Sequence, residues 1–194
     1  DNTAIEYGDP ISISGTFTIK DDSPLTGVAV RIEGKSPGDT TWKLLTMATT
    51  DTTGKFTKPL LLGKATTIRA FSEGTWERGE GISNEIELTV SRLIFLSPPA
   101  SKKSNESFTV TGSIRPRSAG SFIQVEKFVA GNWQPFGTPV TTDSEGNFVI
   151  PVSGQTKGTL TLRVSAAAEA NWIIATSPPF SILIRSVGTS ELVK

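Results

Sequence analysis

A chain of 194 residues without a single cysteine or histidine cannot build a disulfide, a thiolate metal site, or a catalytic pair that relies on either residue. Its length suits two β-sandwiches of about 100 residues each, and a hydrophobic content of 36% can fill two small cores. The 19 basic and 19 acidic residues cancel, without the basic stripe that nucleic acid requires.

The charge is unevenly divided. Residues 1–91 hold 9 Lys/Arg against 13 Asp/Glu, and residues 92–194 hold 10 against 6, so the halves carry −4 and +4. Solvated faces account for such a split; attraction between neighbouring copies, or a weak acidic metal site in the first half, are the sharper alternatives. The longest apolar run, Leu93-Ile94-Phe95-Leu96, is far below the roughly 20 residues of a spanning helix, and no membrane insertion is expected. The opening Asp1-Asn2-Thr3 has neither the basic nor the apolar region of a signal peptide, which suggests a removed signal or an excised fragment.

Along the chain the dominant period is two. Ile11-Ser12-Ile13-Ser14, Val28-Ala29-Val30-Arg31-Ile32 and Ile86-Glu87-Leu88-Thr89-Val90 alternate apolar and polar residues. Phe108-Thr109-Val110-Thr111, Ile123-Gln124-Val125-Glu126 and Leu160-Thr161-Leu162-Arg163-Val164 repeat the pattern in the second half. Such alternation, broken by turn residues every 8–12 positions, predicts antiparallel sheets with one buried face. One segment, Ser165 to Ala170, is helix-like, and it is too short to be stable alone.

The two halves also match each other. Ile13-Ser14-Gly15 aligns with Val110-Thr111-Gly112, Val30-Arg31-Ile32 with Ile123-Gln124-Val125, and Trp42 with Trp133. Thr50-Asp51-Thr52-Thr53-Gly54-Lys55-Phe56 aligns with Thr142-Asp143-Ser144-Glu145-Gly146-Asn147-Phe148. Ile68-Arg69-Ala70 aligns with Leu162-Arg163-Val164, and Trp76 before Ser83 aligns with Trp172 before Ser177. A repeat this long is a whole domain. The predicted fold is all-β: two immunoglobulin-like (fibronectin type III-like) antiparallel β-sandwiches in tandem, about seven strands each. Domain 1 covers 1–91 and domain 2 covers 92–186, with 187–194 as a tail or linker. A junction this short at Ser91-Arg92 cannot act as a flexible tether, so a stiff, elongated pair is expected.

This order of motifs resembles the bacterial Ig-like repeats of actinobacterial-type surface and secreted proteins. It is carried by the strand-Gly start, the Val-x-Ile strand, the tryptophan, Thr-Asp-x-x-Gly-x-Phe, and the Arg-centred strand before an aromatic and a serine. The first repeat departs from the second by two extra residues between Trp76 and Ser83 and by a longer 33–41 loop. The resemblance implies an extracellular or cell-surface location. The resemblance specifies function poorly, since such modules serve as spacers, stalks, adhesion units and accessories to enzymes; the tandem repeat, the short linker and the lack of catalytic side chains lead to the expectation of a non-catalytic structural or spacer role in a larger protein, whose other domains are then the first partners. Polysaccharide or another surface protein is the alternative partner, through adhesion. No cofactor is expected.

Candidate functional residues are few. Asp51-Thr52-Thr53-Gly54 and Asp143-Ser144-Glu145-Gly146 suit hairpin turns with a left-handed glycine. As calcium loops they lack the alternating ligands and the distal glutamate. Trp42, Trp76, Trp133 and Trp172 are the candidate ligand contacts: exposed rings could stack on sugars, while recurrence in both repeats suits rings that cover an edge of their own sandwich. The acidic cluster Glu73, Glu77, Glu80, Glu85 and Glu87, with Arg69 and Arg78 as its expected partners, reads as a solvated face on a loop and an edge-like strand. A weak cation site or the paired carboxylates of a glycosidase, which stand roughly 5–10 Å apart, are the alternatives. No nucleophile stands with a base, so no catalytic residue is assigned.

Overall fold

The structure, a computed structural model, describes residues 4–187. The tail expected over 187–194 lies, apart from Val187, outside the described residues. The chain divides into two units: residues 1–91 together with Ala170–Ile173, and residues 92–169 together with 174–194. No helix occurs among the described residues.

Unit 1 contains β1 (Ala4–Glu6), β2 (Pro10–Thr16), β3 (Ala29–Lys35), β4 (Lys43–Thr49), β5 (Lys55–Leu61), β6 (Thr66–Ser72), β7 (Gly81–Ile82) and β8 (Ile86–Ser91). Its larger sheet runs β1-β8-β6-β3-β4, with β7 on β6, and β2 pairs with β5 in a separate ladder. The alternation read in the sequence is the reason for the two layers. Val30 and Ile32 turn inward from β3 and are 1% and 0% exposed, while Arg31 takes the other face. Phe56 of β5 packs in the same cluster as Val30 and Ile32, with Ile13 of β2 against it.

Unit 2 contains β9 (Leu93–Ser97), β10 (Ser101–Lys103), β11 (Phe108–Arg115), β12 (Phe122–Val129), β13 (Asn132–Pro135), β14 (Val140–Thr141), β15 (Asn147–Val152), β16 (Gly158–Ala166), β17 (Ala175–Thr176) and β18 (Phe180–Arg185). One sheet runs β10-β18-β16-β12-β13, with β14 and β17 at its margins, and the other runs β15-β11-β9. Val110, Ile123, Val125, Ile150, Leu162 and Ile182, all fully buried, sit in one continuous core. Burying one such side chain is worth about 2–3 kcal/mol, so this shared cluster is the main source of the unit's stability.

Each unit therefore has more strands than the seven expected. The additional ones, such as β7, β14 and β17, are two residues long, too short to show a period. The alternating strand of the first repeat, Ile86–Val90, also differs from expectation. It is not an edge: β8 pairs antiparallel with β6 and parallel with β1. The partner is short and distant in sequence, so nothing local announced it. The helix-like Ser165–Ala170 is no helix either. Ser165 and Ala166 close β16, with Ala166 fully buried in the core.

Candidate functional site

The outer face of the larger sheet in each unit carries the same three side chains. In unit 1 the Trp42 ring, just ahead of β4, lies 4.2 Å from the Arg69 guanidinium and 4.4 Å from Lys35 Nζ. Arg69 donates from Nε and Nη2 to Glu33 Oε2 at 3.1 and 2.9 Å. Arg31 approaches the other oxygen of Glu33 at 3.2 Å. Glu33 is only 5% exposed, and a carboxylate withdrawn from water this far requires such pairing. In unit 2 the Trp133 ring lies 4.6 Å from the Arg163 guanidinium and 5.1 Å from the Phe128 ring, and Arg163 Nε donates to Glu126 Oε2 at 2.5 Å.

The cause is strand alternation. Arg69 sits between Ile68 and Ala70 on β6, and Arg163 between Leu162 and Val164 on β16. With the apolar neighbours turned to the core, each arginine must face outward, beside a glutamate on the adjacent strand. Registers Glu33↔Arg69 and Glu126↔Arg163 put the partners directly across from each other. Cation–π contact adds about 0.5–2 kcal/mol per ring. Both arginines stand in the matched segments of the two repeats, and Glu33 and Glu126 directly follow another matched segment, so the paired positions were the available signal. The acidic loop, a denser run of charge in the sequence, masks that signal.

The other two tryptophans, matched in sequence, have different surroundings. Trp76 stands on the loop between β6 and β7 and is 93% exposed. Trp172 belongs to the 170–173 segment of unit 1. Its Nε1 donates to Gly63 O at 2.9 Å, and its ring packs against the cluster of Ile5, Leu62, Ile68, Leu88 and Val90. Backbone bonds from Ala65 N to Asn171 O and from Ile173 N to Val90 O hold that segment in place.

Two members of the acidic cluster, Glu73 and Glu85, form separate ion pairs. Glu73 meets Arg31 at 3.1 Å and Glu85 meets Lys35 at 3.3 Å. The expected partners lie elsewhere: Arg69 is taken by Glu33, and Arg78 donates to Ser72 Oγ at 3.1 Å. Register, rather than proximity in sequence, decides which charges meet. Among the described residues no three acidic side chains are grouped to hold a metal ion.

The two Asp turns are near copies. Asp51 Oδ1 accepts from Thr53 N, Thr53 Oγ1 and Lys55 N at 2.8, 2.7 and 3.0 Å. Asp143 Oδ1 accepts from Glu145 N and Asn147 N at 3.0 and 2.8 Å. Gly54 and Gly146 close the turns at φ of 73° and 76°, where a side chain would be strained. Hydrogen bonds from Thr53 first, then Lys55, hold the Asp51 carboxyl below the usual range, and those from Asn147 do the same for Asp143. A carboxyl lowered in the folded state contributes stability above its unfolded pKa, and that contribution is lost as pH falls through the folded value. Asp143→Ala is therefore expected to melt earlier than the wild type at neutral pH, with the gap closing as pH falls below the ordinary range of an aspartate carboxyl. Thermal melts across that range check it; a gap independent of pH contradicts the turn's role.

Folds and surfaces together define two immunoglobulin-like β-sandwiches, whose repeated side-chain features are satisfied within each sandwich. No protein-family model and no curated protein matches the chain. Solved structures to which the chain is similar include a C-terminal 282-residue fragment of intimin, in complex with the intimin-binding domain of the translocated intimin receptor. That match has 16% identity and a TM-score of 0.44, and covers 95% of this chain. The chain spans only 62% of that fragment's length. The D0–D1 domain of intimin is similar at 15% identity over 94% of this chain and 95% of its own, with a TM-score of 0.35. A tetra-tandem repeat from the extending region of a large adhesion protein is similar at 13% identity over 93% and 48%, with a TM-score of 0.38.

Proposed function

We propose that the chain is a non-catalytic structural module of a larger bacterial surface or secreted protein. In this reading its two sandwiches, residues 1–91 and 92–186, space or display other parts of that protein, and those other domains are its partners. The supporting observation is the repeated Trp–Arg–Glu arrangement. Trp42 and Trp133, the residues best suited to stack on a ligand, are instead each engaged by an arginine that a carboxylate holds in place. The Asp turns likewise direct their oxygens at their own backbone.

A second reading, adhesion to polysaccharide or to another surface protein, is favoured by one observation: the Trp76 ring is 93% exposed on a loop, and exposed aromatic loop residues are common binding elements. A glycan-array screen of the chain, with and without calcium, separates the two. The structural role predicts no reproducible signal in either arm. A saturable hit that Trp76→Ala abolishes would replace it with the second reading.

A further inference from the structure

An unpaired sheet edge invites another strand, and folds blunt it by brevity, charge or proline. Most edges of the two units are blunted in this way. β1 and β10 are three residues long. β5 carries Pro59, β13 ends in Pro135 and β15 carries Pro151. β4 differs. It runs for seven residues without proline, and its one charge, Lys43, stands at its first position and is tied to Asp39 at 3.1 Å. Leu44, Leu45 and Met47 are 50%, 37% and 49% exposed. Among the described residues β4 pairs with β3 alone.

That edge is complementary to itself. Thr50, one residue past β4, turns both backbone groups toward β3: its N–H donates to Val28 O and its carbonyl accepts from Gly27 N. By alternation, Thr49 and Met47 direct theirs to the open edge. Leu44 stands opposite Glu33 and Met47 opposite Arg31, so both lie on the outer face, and a register shift between Ile32 and Glu33 leaves Leu45 as an extra residue. This bulge lets outer residues stand three positions apart, where a regular strand would put them on opposite faces. Two β4 strands, antiparallel about the Leu45–Thr46 link, therefore match face for face. Leu44 of each falls beside Met47 of the other, Lys43 beside Ala48, and Leu45 beside Thr46. Apolar side chains meet on the outer face, and no like charges are opposed. A bulged edge discourages a regular foreign strand, which lacks the matching shift; a second copy carries the same one.

We propose that β4 is the edge through which two copies of this chain pair, antiparallel and two-fold, joining the larger sheet of unit 1 in each into one sheet. The same patch serves on both copies, so the assembly closes at two. The contact is small for a protein interface, and the association is weak and reversible.

The test is sedimentation equilibrium of the full chain over a concentration series, with amide hydrogen exchange followed at Met47 and Thr49. The mass should rise from one copy toward two, and exchange at both amides should slow about tenfold or more in step with it. Leu44→Lys combined with Met47→Lys sets like charges side by side and should leave a monomer at every concentration. Leu44→Glu combined with Met47→Lys sets opposite charges side by side in the same register and should pair at least as well as the wild type. Both positions are about half exposed, so thermal melts of dilute protein should show both variants folded like the wild type. A wild type that stays monomeric overturns the proposal and leaves the edge to a different partner. So does association that the first variant retains, or that both variants lose, either of which places the contact in another register or on another surface.

Discussion

Replacing Arg92 by methionine is expected to lower the stability of unit 2 by about 3 kcal/mol. The arginine side chain is wholly buried, 0% exposed, although it is charged. Nη1 donates to Ser121 Oγ at 2.7 Å and to Glu169 Oε1 at 2.8 Å, and Nη2 donates to Ala167 O at 2.7 Å. One guanidinium thus ties the entry of β9 to the start of β12 and to the loop after β16. Methionine keeps most of the length and the apolar stem, so the loss reads the polar contacts rather than a void. It removes three hydrogen bonds from a charged donor and leaves the buried Ser121 hydroxyl, 1% exposed, without its donor, which alone costs about 1–3 kcal/mol, whereas the Ala167 carbonyl belongs to an exposed residue and can take water instead. Glu169, with 34% of its side chain exposed, can turn to water, which keeps the total below that of a fully buried pair. Lysine retains the charge but cannot span the same set of acceptors, so Arg92→Lys should recover only part of the loss. Urea unfolding gives the number; a loss under about 1 kcal/mol would show that the cluster is not a structural tie.

The second large effect concerns a matched pair of positions. Ile114→Ala should cost unit 2 about 3 kcal/mol, because Ile114 is fully buried beneath β9 and the gap has no route to solvent. Phe17→Ala at the equivalent place in unit 1, where Phe17 N donates to Gly54 O as Ile114 N donates to Gly146 O, should cost about half as much, although the ring is larger. Phe17 is half-buried and already borders an open cavity, so truncation removes fewer contacts and enlarges a space that water can enter. Melts of both single variants measure the difference. Equal losses would mean that the first sandwich is as tightly closed as the second.

How much of this was legible depended on the range of the interaction. The alternation of Val30 with Ile32, and of Ile123 with Val125, placed those residues in the core, since strand parity acts over adjacent positions. The Asp51 and Asp143 turns were equally plain, as their bonds span at most four residues. Long-range pairings were hidden. Nothing near Ile5 indicates that it lies parallel to Val90 across the sheet. Arg92 looked like a junction residue because charge normally marks surface, whereas its acceptors lie 29 to 77 positions away. Trp76 and Trp172 looked equivalent in sequence, yet one is exposed and the other is bonded to Gly63.

The proposed structural role of the chain is tested most directly by its tryptophan emission during titration with surface polysaccharides and their fragments, with Trp76→Ala run in parallel. Trp42 and Trp133 are held by arginines and Trp172 by Gly63, so Trp76 is the ring most open to a sugar. An unchanged spectrum throughout, in wild type and variant alike, is the predicted result. A saturable shift or quench that disappears in Trp76→Ala would contradict the structural reading and make the β6–β7 loop a binding site.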